Sequence, residues 1–263
     1  MSFGPNRIVC LTEETVETLY LLGQSHRIVG VTGYAVRPPQ VRQEKPRVGA
    51  FTSADVPKIL ALKPDLVLTF SDLQADIAAE LIRAGIAVHA FNQRRVAGIL
   101  EMIRYLGAVT GCSGRAQALC EGYARRITDL RNTPRPYRPR VYFEEWDDPP
   151  ISGIAWVSEL IEIAGGQDVF GHLRDEQGAK DRILDPTDII EAAPDVIIAS
   201  WCGKKVRPEK IAARPGWSQI PAVAKSRIIE IKSPLILQPG PAALSDGLDA
   251  IEAALWYKKD RTA

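Results

Sequence analysis

Short apolar segments alternate with amphipathic helical segments along most of the chain. The apolar segments of the first half predict strands at residues 8–11, 28–31, 66–70 and 87–91. The segments with helical periodicity predict helices at residues 13–22, 55–62, 73–83 and 96–109. A glycine or a proline closely follows each of these helices, as is typical of helix ends. Strands and helices that alternate in this way favour an α/β fold with parallel strands.

The middle of the chain breaks this alternation. Residues 113–132 carry no strand signal and predict a single helix of roughly 30 Å. The proline-rich segment 133–139 cannot continue that helix. Alternation then resumes, with strands at 140–144, 196–200 and 227–231 and helices at 156–164 and 241–257. This pattern predicts an N-terminal lobe over residues 1–112, a linking backbone helix over 113–133 and a C-terminal lobe over 134–263.

A weak internal repeat indicates that the two lobes are similar. Residues 59–70 align without gaps to residues 189–200, so that Pro64 matches Pro194 at an offset of 130 residues. Each copy reads as a short helix, a Pro-Asp turn and a buried strand. We therefore predict two Rossmann-like α/β lobes with parallel sheets, joined by one long backbone helix.

Composition narrows the class of protein further. The 263 residues are 46% hydrophobic with a formal net charge of +1, which excludes global disorder and gives no electrostatic footprint for nucleic acid or anionic membrane. The apolar runs are too short to cross a bilayer, so no membrane insertion is expected. Residues 1–7 lack the pattern of a secretory signal, and the 4 cysteines form no C-x-x-C pair. We expect a cytoplasmic monomer with reduced thiols, or a periplasmic protein if a signal has been removed.

Five motifs occur in an order and spacing that together indicate one protein family, although each motif is modest alone. They lie at residues 7–12 with Glu17 and Gly23, 29–34 with Pro38 and Pro39, 48–51, 59–65 and 159–166. Over about residues 7–256, the chain resembles the helical-backbone substrate-binding proteins of ABC importers, which bind cobalamin, haem and ferric siderophores. The cobalamin-binding branch is the most similar, through Tyr34, the Pro38-Pro39 pair and the loop that ends at Phe51.

The resemblance implies a ligand held between the lobes by aromatic side chains at strand ends. A corrin is a large, mostly flat ring, which aromatic faces bury well. On the first lobe the resemblance implies Tyr34, Phe51 and Phe70 as ligand contacts. On the second lobe it implies Ile151, in the Pro-Pro-Ile loop, and Gln238, where cobalamin binders carry an arginine. The internal repeat adds Trp201, which follows its strand where Phe70 closes the first copy.

Acidic residues at the start of the first helix have two interpretations. Glu13 and Glu14 follow Thr12, and an N-cap threonine with acids that favour the helix dipole would account for them. The alternative places Glu13 at the edge of the ligand cleft.

A second acidic run, at residues 144–148, leaves a predicted strand. It reads either as a solvated loop or as polar ligand contacts, with Trp146 stacking on the ligand. Strand alternation sends Glu144 and Glu145 to opposite faces, so at most one of them, here taken as Glu144, faces the cleft.

These residues are compatible with several ligands and less so with an enzymatic reaction. Carboxylates facing each other could serve hydrolysis, but no G-x-S-x-G, P-loop or G-x-G-x-x-G motif is present, so we predict a binding protein with no catalytic residue and no cofactor. The 3 histidines are scattered, and no metal site is expected.

A corrinoid is the leading ligand. Haem stays open through Tyr34 as an axial ligand. A ferric siderophore would require clustered arginines, and only Arg37 is near; a smaller cationic or polyhydroxylated ligand also stays open.

The resemblance also bears on a membrane partner. Importer-linked members carry an exposed glutamate on each lobe that meets arginines of the permease. Pro57 and Thr187 occupy those positions here. We therefore expect a small metal-chelate ligand as partner, and a chain that does not serve an ABC permease.

Overall fold

The computed structural model describes residues 4–256. The chain divides into two compact units, Met1–Gln93 with Ala97–Gly122 and Arg94–Val96 with Tyr123–Ala263. The division between Gly122 and Tyr123 falls inside the helix that the sequence predicts as the linker. Residues 1–3, and Tyr257 at the predicted end of the last helix, lie outside the described residues.

The first unit contains a four-stranded parallel sheet. Its strands are β1 (Ile8–Cys10), β2 (Ile28–Val31), β3 (Leu66–Phe70) and β4 (Val88–Phe91), in the order β2-β1-β3-β4. β1 lies between β2 and β3, with Ile8 opposite both Ile28 and Leu66. Because all four strands run in one direction, their carboxyl ends share one edge, here called the first carboxyl edge.

Helices cover this sheet, and each of the four predicted helices is present. These four are α1 (Glu13–Leu21), α3 (Val56–Ala61), α4 (Ala75–Arg83) and α5 (Val96–Val109). The short α2 (Val41–Glu44) also belongs to this unit, and the long α6 (Ser113–Asn132) continues into the second unit. A 3₁₀ turn over Asp72–Gln74 precedes α4, where the sequence predicts the start of a regular helix. Val9 and Val67 of the sheet pack against Ile59 of α3 and Leu81 of α4, which explains the apolar face of each helix.

The second unit contains a mostly parallel sheet with one antiparallel strand. Its strands are β5 (Arg140–Asp147), β6 (Pro150–Ser152), β7 (Gln167–Asp168), β8 (Val196–Ala199) and β9 (Ile228–Glu230). The order is β6-β5-β8-β9, with β7 also paired to β5. β5 is parallel to β7 and β8, and β6 returns antiparallel to β5. The carboxyl ends of β5, β8 and β9 form the second carboxyl edge.

This sheet corrects two predictions from the sequence. The predicted strand ends at Glu144, whereas β5 continues to Asp147, so Glu145 and Trp146 lie in the strand and not in a loop after it. Ile151 lies in β6 and not in a loop, since Trp146 is its partner in the antiparallel pair. Because acidic residues are depleted in strands, the sequence did not predict the hairpin of β5 and β6.

Apart from α6, the α-helices described in the second unit have at most 9 residues each. They are α7 (Ala155–Ile163), α8 (Pro186–Ala192), α9 (Pro208–Ala212), α10 (Pro221–Ala224), α11 (Ser233–Ile236) and α12 (Leu248–Trp256). A π-helical turn over Ala243–Gly247 leads into α12. The core cluster includes Tyr142, whose ring lies 5.6 Å from that of Phe170 and 6.3 Å from that of Trp217. Among the described helices, none combines the length and apolarity that crossing a bilayer requires.

The internal repeat corresponds to the same local structure in both units. In the first, Asp65 accepts a hydrogen bond from the amide of Arg7 (2.9 Å), and the Arg7 guanidinium donates to the carbonyl of Leu62 at the end of α3. In the second, Asp195 accepts from the amide of Arg140 (3.0 Å), and the Arg140 guanidinium donates to Ala192 at the end of α8. The Pro-Asp turn therefore connects helix and central strand alike in each unit.

Candidate functional site

The first carboxyl edge is the candidate ligand-binding surface of its unit, because open parallel sheets generally bind ligands beyond the carboxyl ends of their strands. β2 leads into the loop that contains Tyr34, whose side chain is 48% exposed. The amide of Thr32 donates to Cys10 of β1 (2.9 Å), and the amide of Gly33 donates to Gly49 (2.7 Å). These bonds fix the Tyr34 loop beside the end of β1 and beside the loop of residues 49–54.

The other two aromatic residues predicted for this edge are less exposed than Tyr34. Phe51 is half-buried in the loop of residues 49–54, which the bond from the amide of Ala50 to Ser53 closes (2.8 Å). Phe70 ends β3 opposite Phe91 and is only 6% exposed. Of the three predicted aromatic residues, Tyr34 is therefore the most exposed at this edge.

Gln74 is a residue of this edge that the sequence analysis missed. It is fully buried, and its side-chain amide bonds to three backbone groups from different parts of the chain. The only local signal was a polar residue at the start of a helix, which is common and indicates no such role.

Glu13 and Glu14 begin α1 directly after β1. Thr12 precedes them as the N-cap residue but makes no side-chain cap bond; its hydroxyl lies 3.1 Å from that of Thr15. Desolvation raises the pKa of Glu13 to about 7 and that of the buried Glu14 to about 8. The N-cap interpretation is thus only partly fulfilled, and both carboxyls hold protons well above their ordinary pKa.

Arg37, the arginine nearest to the motif loops, is engaged by an acid. Its Nε donates to Glu17 Oε1 at 2.9 Å, and the Glu17 side chain is largely buried. The positive charge that an anionic ligand would seek at this edge is thus partly neutralised.

The acid predicted to face the cleft from the second unit, Glu144, is fully buried. It accepts hydrogen bonds from the hydroxyl of Tyr142 (3.2 Å), the indole of Trp201 (3.2 Å) and both terminal nitrogens of Arg214. Burial raises the pKa of Glu144, and the Arg214 guanidinium opposes that rise. Glu144 therefore organises the interior of the second unit.

The next acids of β5 also have basic partners. Glu145 accepts two hydrogen bonds, of 2.8 and 3.1 Å, from the buried Arg182. Asp147 Oδ2 lies 2.6 Å from Lys204 Nζ. The acidic run is neither a solvated loop nor an open pair of carboxylates.

The two tryptophans of the second carboxyl edge share a cation. Lys204 Nζ lies 5.3 Å from the ring centroid of Trp146 and 5.1 Å from that of Trp201. Trp201 is 2% exposed and belongs to the core cluster, whereas Trp146 is partly buried and packs against that cluster. Of the two rings, Trp146 is the one near the surface.

The remaining predicted contacts lie at the margins of the second unit. Ile151 of β6 is partly buried and pairs by a single bridge with Ile183. Gln238 follows α11 and is partly buried, and its carbonyl accepts from the amide of Gly240 at 2.8 Å. Within residues 4–256, no three His, Cys, Asp or Glu side chains are grouped to hold a metal ion.

Comparison with known proteins shows the family. The sequence profile described as Periplasmic binding protein matches residues 8–235, which is most of the chain. The chain belongs to this periplasmic binding protein family. Members of the family are solute-binding proteins and not enzymes.

The relatives of this binding protein are distant but match along nearly all of its length. The Vitamin B12-binding protein of Vibrio cholerae is 25% identical over 98% of this chain and 90% of its own length. An uncharacterized ABC transporter substrate-binding lipoprotein of Bacillus subtilis is 25% identical over 96% of this chain and 80% of its own length. The solved structure of the periplasmic heme-binding protein RhuT from Roseiflexus, 24% identical, superposes with a TM-score of 0.80 over 95% of this chain and 99% of its own. The fold with two parallel-sheet lobes is thereby confirmed.

Proposed function

We propose that this binding protein binds a corrinoid, without chemical change, through the loops at its carboxyl edges. The observation that carries the proposal is Tyr34, a half-exposed aromatic side chain held by backbone bonds at the first carboxyl edge. A ring face of this kind buries a flat macrocycle without requiring many hydrogen bonds. The relative named for vitamin B12 binding supports the same ligand class.

The charges of the first carboxyl edge favour a ligand with an uncharged, hydrogen-bonding periphery. Arg37 is paired with Glu17, and the partly exposed Glu13 brings a carboxyl and not a cation to this edge. Corrins carry amide side chains, whose N–H groups donate to carboxyl oxygens. Carboxylates of a ferric siderophore would find no clustered arginines among these residues.

Haem is the second candidate, because Tyr34 combines exposure with a phenolic oxygen that can ligate haem iron. The relative from Roseiflexus named for heme binding shares this fold. Haem propionates at this edge, however, would face the partly exposed carboxyl of Glu13, which ionises above a pKa of about 7 and would repel them.

The decisive experiment compares the two ligand classes directly. Purified protein is titrated with cyanocobalamin, cobinamide and hemin while visible absorbance, heat of binding and thermal stability are followed. We expect saturable binding of a corrinoid that leaves the mass of the ligand unchanged. A Soret shift with hemin and no response to either corrinoid would replace the proposal with the haem alternative, and ligand turnover would contradict a pure binding function.

Replacing Tyr34 with alanine should weaken corrinoid binding about ten-fold, since one aromatic contact contributes on the order of 1 kcal/mol beyond its buried area. Thermal stability should hardly change, because the side chain is half exposed. Tyr137→Ala is a matched control, since Tyr137 is 54% exposed and precedes β5 at the opposite edge of the second sheet. Equal affinities of the two variants would remove Tyr34 from the binding surface.

We also propose that this protein does not dock to a permease through the glutamates that importer-linked members use. Pro57 and Thr187 occupy those positions, and both are exposed in the first turns of α3 and α8. Transport reconstituted with a cobalamin permease is expected to show no stimulation by this protein. Stimulated transport would contradict the proposal and leave the ligand assignment intact.

A further inference from the structure

The buried side-chain amide of Gln74 joins three segments of the first unit. Gln74 Oε1 accepts a hydrogen bond from the amide of Phe70 at 3.0 Å. Its Nε2 donates to the carbonyls of Leu11 at 3.1 Å and Phe51 at 2.7 Å. The side chain is fully buried, so it meets no ligand itself. A primary amide supplies one acceptor and two donors, which is the set that these three backbone groups require.

The three groups belong to the parts of the chain that form the first carboxyl edge. Leu11 leads from β1 toward Glu13, Phe51 lies in the loop of residues 49–54, and Phe70 ends β3. Gly49 of the same loop accepts the amide of Gly33, next to Tyr34. Gln74 thus connects to the Tyr34 loop through the loop of residues 49–54.

The backbone before Gln74 turns sharply to bring this side chain back to the end of β3. Ser71 adopts a left-handed φ of 55°, which is costly for a residue with a Cβ. Its amide donates to Phe91 (2.7 Å), and its hydroxyl accepts from the amide of Leu73 (3.3 Å). These two bonds of Ser71, together with the bond from the amide of Phe70 to Gln74, hold the tight turn.

We propose that Gln74 is the positioning residue of the ligand-binding surface at the first carboxyl edge. That a ligand binds at this surface rests on the proposed function, whereas the positioning of the loops follows from the hydrogen bonds of Gln74 alone. Without the amide, the loop of residues 49–54 loses its bond to the interior. Phe51 then loses its fixed position, and the Tyr34 loop, joined to this loop through Gly49 and Gly33, is held only by its remaining bonds, such as that from Thr32 to Cys10.

The test compares two variants with a control of similar burial at the other end of the unit. Gln74→Met keeps the length of the side chain and removes all three bonds. Gln74→Glu keeps the volume and the acceptor for Phe70 but removes both N–H donors, and the ionised carboxylate donates no hydrogen bond. Thr110→Val is the control, because Thr110 is buried just after α5, and its hydroxyl bonds locally to Leu106.

Hydrogen exchange of the described loops is measured together with affinity for cyanocobalamin and hemin, well below the unfolding temperature of each variant. Gln74→Met should speed exchange in residues 49–54 and at Phe70 about ten-fold and weaken binding about ten-fold, as expected for the loss of hydrogen bonds. Gln74→Glu should speed exchange in residues 49–54 while the amide of Phe70 stays protected. Thr110→Val should alter neither loop exchange nor affinity.

Two outcomes would overturn the inference. One is unchanged exchange of residues 49–54 in both Gln74 variants. The other is a loss of affinity no larger than that of Thr110→Val. If the wild-type protein binds neither cyanocobalamin nor hemin, the proposed function fails, whereas the exchange measurement still decides whether Gln74 positions the loops.

Discussion

Replacing Arg214 with methionine should lower the free energy of unfolding by about 3–5 kcal/mol, because removing one member of a buried ion pair leaves its partner uncompensated. Glu144 is 0% exposed, and both terminal nitrogens of Arg214 donate to its carboxylate. Arg214 also donates to the carbonyl of Asp147 at 3.1 Å, so the change loosens the β5–β6 hairpin as well. Urea unfolding followed by tryptophan fluorescence measures the loss.

The pH dependence of this loss has a definite sign. Burial already raises the pKa of Glu144, and Arg214 lowers it by hydrogen bonding and by charge. Without Arg214 the pKa rises further, so the variant should be more destabilised in alkaline than in mildly acidic solution. A cost that does not change with pH would contradict the assignment of the loss to a buried charge.

Arg207→Met is the matched control in the same unit. Arg207 is exposed, and it lies 3.7 Å from the exposed Glu209. An exposed pair of this kind contributes less than about 1 kcal/mol. If Arg214→Met costs no more than this control, the bonds of Glu144 do not stabilise the second unit.

The sequence predicts the first unit more accurately than the second for a physical reason. The strands of the first sheet are short apolar runs between helices that end in glycine or proline, and these are local signals. The acidic run of β5 gives a local signal for a loop. Its residues can lie in a strand because Glu145, Asp147 and Glu144 bind Arg182, Lys204 and Arg214, which are 37, 57 and 70 residues away.

Contacts between residues distant in sequence also limit what the sequence predicts about the candidate site. The repeat relates Phe70 to the segment that contains Trp201, and the two side chains are indeed similarly buried, at 6% and 2% exposure. A repeat predicts equivalence but not which side chain reaches the surface. Gln74 escaped notice because two of its three partners, Leu11 and Phe51, are 63 and 23 residues away. Tyr34 was selected through the resemblance to the cobalamin-binding branch, and its contact with a ligand stays a prediction.

The free energy of unfolding of the wild-type protein should fall as the pH rises. Replacing Glu14 with glutamine should remove most of this fall. The folded protein keeps the Glu14 proton up to a pKa of about 8, whereas an unfolded chain loses it near pH 4.3. Between these values the folded state binds more protons than the unfolded state, so stability falls as the pH rises through this window. Glu13, with a pKa raised to about 7, contributes in the same direction.

The expected size follows from the shift of a fully buried carboxyl, from its ordinary 4.5 to about 8. Each pKa unit corresponds to about 1.4 kcal/mol, so Glu14→Gln should gain about 4 kcal/mol relative to wild type between pH 5 and pH 9. Urea unfolding at pH 5, 7 and 9 measures this gain, and Glu101→Gln, at an exposed site on α5, is the control. Parallel pH curves for Glu14→Gln and wild type would show that the carboxylate is solvated in the folded protein. A neutral Glu14 carboxyl at pH 7 would instead mean that the start of α1 carries less negative charge than its two glutamates suggest, which suits an amide-bearing ligand better than a cation.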